Sequence, residues 1–195
     1  MVTEERARRR TGGRSARVRR AVLDATLQTM AEHGPDAVRI PEVARRAGVH
    51  ETSVYRRWGT RERLVVDALL TYSQEQLHIP DTGTLRGDLV GFADSLAGYL
   101  DTPFGEALVR SMSAASDDQA LAQSREEFWN TRFDLARVMI DRAVARGEIP
   151  EGTDPAFILE TLIAPLHFRA LLTRRPHDGH LSSRLVDLLL AGLTR

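Results

Sequence analysis

The sequence predicts an all-α protein of about nine helices, a small three-helix N-terminal unit followed by a larger helical body. Three observations carry that prediction. Apolar residues recur three and four positions apart through most of the chain, and beyond Tyr72 no stretch alternates apolar with polar residues as a half-buried strand does. Gly- and Pro-containing breaks punctuate these runs at helical lengths. A 42% hydrophobic content suffices for a real core, while 28% charged residues suit a soluble surface.

Taken in order, residues 1–17 hold few apolar side chains, many arginines and Gly12-Gly13. They are predicted to be a disordered basic arm, either a solvated tail or a nucleic-acid contact. Residues 18–70 make the first folded unit. Val18, Val22 and Ala25, widened by Leu23, Leu27 and Met30, form the stripe of a helix that Gly34-Pro35 ends. A short helix follows from about Pro41, suited to a first helical turn, to Ala47, where Gly48 permits a sharp turn. Another runs from about Glu51 to Trp58 and breaks at Gly59-Thr60, after which Leu64, Val65, Ala68 and Leu69 carry a further apolar face. Residues 75–195 make the body, with helices at about 84–100, 104–115, 117–146, 154–174 and 180–194. Asp117 and Asp154 are suited to N-caps. Pro165 falls inside a helix, where it removes an N–H and clashes with the Thr161 carbonyl, so a kink or break is expected. Such a kink either opens room for a ligand or bends the helix around the core.

Charge and composition narrow the function. The net charge of zero divides into fifteen arginines against nine acidic residues over 1–70, and twelve against eighteen over 71–195. A basic front and an acidic back suggest that only the front meets a polyanion. The chain lacks cysteine, which excludes disulfides and thiolate metal sites. The longest uninterrupted apolar runs are about six residues, short of the ~18–20 that span a bilayer, and no apolar stretch follows the N-terminal arginines. No membrane partner is therefore expected, and a cytoplasmic location is the simplest reading. No phosphate-cradling glycine loop, H-E-x-x-H or nucleophile elbow is present, so no catalytic residue, cofactor or metal is expected. Asp117-Asp118 and Glu126-Glu127 read as helix-start and solvated-face charges, and His177, Asp178 and His180 as a plain loop.

The segment IPEVARRAGVHETSVYRRWGTRER, residues 40–63, is the informative one. Two short helices pinched around Ala47-Gly48-Val49 make a helix-turn-helix, whose second helix enters the DNA major groove. Val43, Ala44, Ala47, Val49, Val54 and Trp58 supply the small core, and Glu51, Thr52, Ser53, Tyr55, Arg56 and Arg57 remain outside. Arginine grips guanine O6 and N7 bidentately for about 1–3 kcal/mol, which suits Arg56 and Arg57 to groove recognition; Arg57 could instead turn back to a phosphate. Tyr55, Thr52, Thr60, Arg61 and Arg39 are candidates for backbone positioning.

Residues 18–70 resemble the DNA-binding headpiece of the TetR family of transcriptional repressors. The resemblance rests on Ala25, Gly34, Val43-Ala44, Ala47-Gly48-Val49, Ser53 through Trp58, and Arg61-Glu62-Arg63-Leu64. It implies that Tyr55 and the basic residue at 61 hold phosphates, while positions 51–53, 56 and 57 face the groove. Arg61 stands where lysine is usual, His50 where a small residue is common, and Pro41 at an exposed position of the bracing helix.

Further on, Pro165 through Arg169, Thr173 through Pro176, Leu185-Val186-Asp187 and Leu190 through Leu193 resemble the ligand-binding and dimerisation body of an actinobacterial-type branch of the family. Phe92, Met112, Trp129, Phe133 and Phe168 read either as core or as the lining of an apolar pocket. Arg137 and His167 could orient a ligand carboxylate or carbonyl. Leu181, Leu185, Leu188, Leu189 and Gly192 share a stripe wide enough to need covering on two sides, by a monomer core or by a second copy. The expected partners are thus a palindromic double-stranded operator, a second copy in a homodimer, and a small-molecule effector. The alternative is an effector-independent regulator whose body serves only dimerisation or protein contacts.

Overall fold

The computed structural model describes residues 3–113 and 119–193. They form nine α-helices with no strand among the described residues. The chain divides into two compact units, Met1–Thr71 and Tyr72–Arg195, and the division falls inside a helix.

In the first unit α1 (Thr3–His33) packs on α2 (Ile40–Ala47), which packs on α3 (Glu51–Trp58); α4 (Arg61–Gln76) follows. The helix begins at Thr3 rather than at 18, so the segment expected to be a disordered arm is helical from Thr3 onward. Apolar periodicity reports burial, not helicity, and alanine, arginine and glutamate favour a helix whether or not a face is covered. Between α1 and α2 a 3-10 turn spans Pro35–Ala37, entered through Gly34 at φ 82°. The turn after α2 depends on Gly48, left-handed at φ 65°. There the Gly48 N–H donates to the Arg45 carbonyl (3.3 Å) and the Val49 N–H to that of Ala44 (3.0 Å), so the last carbonyls are satisfied. Val22, Leu23, Val38, Ile40, Val43, Ala44, Val54, Trp58, Leu64 and Ala68 are buried. Ala47 and Val49, expected in that core, are only half-buried because they flank the turn.

The second unit contains α5 (Leu85–Leu100), α6 (Pro103–Ser113), α7 (Gln119–Ala145), α8 (Pro155–Phe168) and α9 (Leu181–Leu193). Central to it is α5, packed against α6, α7, α8 and α9, with Leu85, Leu89, Phe92, Ala93 and Leu96 buried. Gly105 allows α6 to start hard against the end of α5, since a β-carbon there would overlap the Tyr99 carbonyl. The Asp154 carboxylate caps α8 by accepting from the N–H groups of Ala156 (2.9 Å) and Phe157 (3.3 Å). Asp117, the other expected cap, lies outside the described residues. At Pro165 the helix is not broken; it widens into a π turn over Arg169–Thr173 and ends at Arg174, whose φ is 52°.

Read as one helix, Pro155–Thr173 is long and apolar enough, by length and composition, to cross a membrane, with a mean hydropathy of 1.4. Counting uninterrupted apolar runs did not register it, because Glu160, Thr161 and Pro165 interrupt the run without interrupting the helix. Its Ile158, Leu159, Leu162, Ile163 and Leu166 are buried in the body, whereas Phe157, Phe168 and Leu172 lie on the surface.

Candidate nucleic-acid interface and ligand cavity

The second helix of the helix-turn-helix is fixed from behind. Val54 and Trp58 are buried, and the Trp58 indole N–H donates to Asp67 Oδ2 on α4 at 2.8 Å. Asp67 Oδ1 accepts from Arg19 Nη2 on α1 at 2.6 Å, and Arg19 also reaches the Thr71 hydroxyl at 3.1 Å. A single carboxylate therefore ties α3 to α4 and to α1. No sequence motif announced it.

The outward face carries Glu51, Thr52, Tyr55, Arg56 and Arg57, all exposed, with Ser53 half-buried. Tyr55 is 48% exposed, high for a tyrosine and in keeping with a contact made outside the chain. Among the described residues no acceptor engages Arg56. Arg57 lies with its guanidinium carbon 5.5 Å from the Trp58 ring centroid and donates to the Ser15 hydroxyl at 3.3 Å.

The candidate phosphate contacts Arg61, Arg39 and Thr60 have internal partners. Arg61 Nε donates to the Val38 carbonyl (3.1 Å) and Nη2 to that of Pro35 (2.7 Å). Glu62 and Asp36 flank the same guanidinium at 3.1 and 3.3 Å. Arg39 Nη1 donates to the carbonyls of Asp36 (2.6 Å) and Val38 (2.9 Å). The Thr60 hydroxyl accepts from the Arg63 N–H at the start of α4 (3.3 Å). The hydrogen bonds within a short 3-10 turn do not saturate its carbonyls, and these arginines supply further donors. On α2, Arg45 and Arg46 close on Glu42 and hold its carboxyl well below its ordinary range, at about 2. Their charge is thereby partly neutralised, which leaves Arg56 as the least engaged guanidinium of the helix-turn-helix.

The body contains a cavity of about 750 Å³, partly open to solvent and lined mainly by apolar and aromatic side chains. Phe92, Met112, Trp129, Phe133 and His167 line it, joined by Leu77, Leu96, Tyr99, Arg132 and Ile163. Trp129 stacks on Phe133 with centroids 5.8 Å apart and meets the His167 ring edge-on at 5.5 Å. His167 Nδ1 lies 3.0 Å from the Ile163 carbonyl, so the neutral ring donates there and keeps Nε2 as an acceptor. Burial lowers its pKa from the ordinary 6.5, with the nearby His177 acting in the same direction.

Two expected cavity residues are elsewhere. Arg137 is exposed on the outer face of α7, paired with Asp141 one turn on at 3.3 Å. Phe168 is 54% exposed and outside the lining. The charged group inside is Arg132, 6% exposed. A readable signal for it existed: Phe128, Arg132, Ala136, Met139 and Ala143 form one helical stripe of α7, all buried, and Arg132 is the charged member. On α9 the stripe splits. Leu181 is 8% exposed, covered by its own chain, whereas Leu188 is 75% exposed, Gly192 is exposed, and Leu185 and Leu189 are half-buried.

A basic, solvent-facing second helix on a braced helix-turn-helix, with a separate helical body containing a cavity, defines a helix-turn-helix DNA-binding regulator. Comparisons with known proteins narrow this. Residues 22–68 match the model described as bacterial regulatory proteins, tetR family, and residues 79–189 that of a tetracyclin repressor-like C-terminal domain. The chain belongs to the TetR family and is a transcriptional regulator rather than an enzyme. It is similar to the HTH-type transcriptional regulator AqdR of Rhodococcus erythropolis, 39% identical over 98% of this chain and 93% of that one. The DNA-binding transcriptional repressor TetR of Mycobacteroides abscessus is 30% identical over 90% of this chain and 93% of its own length. Among solved structures, the TetR family transcription regulator SCO0332 superposes with a TM-score of 0.81 at 28% identity, covering 90% of this chain and 97% of the other.

Proposed function

We propose that this regulator is a cytoplasmic repressor that binds a palindromic operator as a homodimer and is released by a small-molecule effector. The observation that carries the effector half is the 750 Å³ cavity. Its size and its few polar groups among aromatic walls match the usual ligand site, whereas a body serving only dimerisation has no use for such a space. The dimer half is supported by Leu188, Phe168 and Leu172, large apolar side chains at the surface of α9, α8 and the turn after it. Twofold pairing also follows from operator reading, since two headpieces about 34–36 Å apart read one palindrome. Release is a matter of linkage: an effector that favours a headpiece arrangement unsuited to the operator lowers operator affinity by the factor by which operator lowers effector affinity.

The test is an electrophoretic shift on the DNA upstream of the chain's own coding region, followed by a thermal-shift screen of small molecules. The expected result is a shifted inverted repeat, released by compounds that raise the melting temperature. Operator binding that no stabilising compound alters would favour the effector-independent regulator.

A further inference from the structure

We propose that the effector is an organic monoanion with an apolar body, its anionic oxygens held by the guanidinium of Arg132 with the hydroxyl of Tyr99 as second donor. This rests on the ligand-responsive reading above and specifies the chemistry of the same cavity.

Arg132 carries the argument. It sits on α7 with 6% of its surface exposed, in the wall of the cavity. Nη1 donates to the Leu77 carbonyl at 3.3 Å, a long contact with a neutral acceptor. Nη2 is buried and makes no hydrogen bond to the protein. Among the described residues no carboxylate pairs with this guanidinium. Glu126 and Glu160, which also line the cavity, are exposed to solvent. Buried charges are paired as a rule, because taking a guanidinium out of water costs more than one neutral hydrogen bond returns. Burial accordingly lowers the Arg132 pKa, yet an arginine remains charged at any working pH.

The groups around it fit an oxyanion. Burial raises the pKa of Tyr99, which keeps the phenol protonated and able to donate. Its hydroxyl is buried, with Ser73 beside it. The two groups sense each other electrostatically across the cavity wall. His167, which also lines the cavity, has its pKa lowered by burial and does not compete as a cation. Around this cluster Leu77, Phe92, Leu96 and Ile163 present only carbon. A structural latch to Leu77 uses one of the five N–H donors of arginine and calls for no charge.

The experiment uses the full-length protein and the neutral fluorophore N-phenyl-1-naphthylamine, displaced by decanoate or by 1-decanol, which differ only in the headgroup. Wild type is expected to bind decanoate at least about tenfold more tightly than decanol, as a charge-assisted hydrogen bond provides. Arg132→Met is expected to lose that preference, the ratio of decanoate to decanol affinity falling toward one. Equal affinities in wild type, or a preference that survives Arg132→Met, would overturn the assignment while leaving a ligand cavity in place. A wild type that does not take up the fluorophore would instead remove the ligand-responsive reading itself. If Arg132→Met does not fold, the wild-type comparison still decides. Tyr99→Phe must then narrow the preference for decanoate over decanol; an unchanged preference would count against the proposal.

Discussion

The recognition helix depends on one carboxylate, and replacing it should loosen the helix-turn-helix measurably. Asp67→Ala strands the indole N–H of Trp58, a side chain only 6% exposed that now donates to Asp67 at 2.8 Å. Stranding a buried donor costs about 1–3 kcal/mol. The same substitution removes the carboxylate facing Arg19, but that pair is about a third exposed on both sides, so solvent reduces its share to about 0.2–1 kcal/mol. The sum is about 1.2–4 kcal/mol. Asp67→Asn keeps an amide oxygen for the indole and gives up only the charge, so about 0.5–1 kcal/mol is expected. Urea unfolding followed by Trp58 fluorescence measures both, in a Trp129→Phe background so that the signal comes from the headpiece alone. The chain's two units need not unfold together, and the headpiece transition must be read by itself. Operator affinity should fall with stability, because the face bearing Arg56 is aimed by Trp58 behind it. If Asp67→Ala lies within about 0.5 kcal/mol of wild type, or if Asp67→Asn is as damaging as Asp67→Ala, the reasoning is refuted.

Three further outcomes are expected. Arg56→Ala should cost about 1–3 kcal/mol of operator affinity and little on scrambled duplex, whereas equal losses on both would make Arg56 a phosphate contact; competitive fluorescence anisotropy separates these. Leu188→Glu should turn a sedimenting dimer into monomer at micromolar concentration, because burying each leucine contributes about 1.5–3 kcal/mol and a twofold interface counts it twice. An unchanged dimer would move the interface elsewhere. For His167, the folded pKa lies below the ordinary 6.5, so between the two values the unfolded chain binds more protons. Stability contributed by the neutral ring is therefore present above about pH 6.5 and lost as the pH falls through the window beneath it. Melting temperatures at pH 7.5 and 5.5 should fall further for wild type than for His167→Gln; parallel slopes would show that the ring is not desolvated.

The headpiece was largely legible in the residues themselves. Its signals are local: Gly48 for a left-handed turn, Pro41 for a first turn, and Val43, Ala44, Val54 and Trp58 for a face that must be covered. Each acts through its own backbone or the next turn of helix, so order along the chain is enough. The α-helical class and the cap at Asp154 followed for the same reason. Family resemblance named the regulator, but it assigned Arg61 to phosphate without the 3-10 turn whose carbonyls now occupy that side chain.

What only the tertiary structure decided is which polar groups lost water and which found partners. Arg132 and Arg137 lie five residues apart on one helix with the same chemistry, yet α7 buries one and turns the other to Asp141. Leu181 and Leu188 share a stripe, yet one is covered by its own chain and the other is 75% exposed. Helical periodicity fixes angles around an axis and leaves open what stands opposite each angle. Desolvation depends on neighbours brought from distant parts of the chain, so the charge in the cavity and the uncovered apolar face emerged only once the helices were packed.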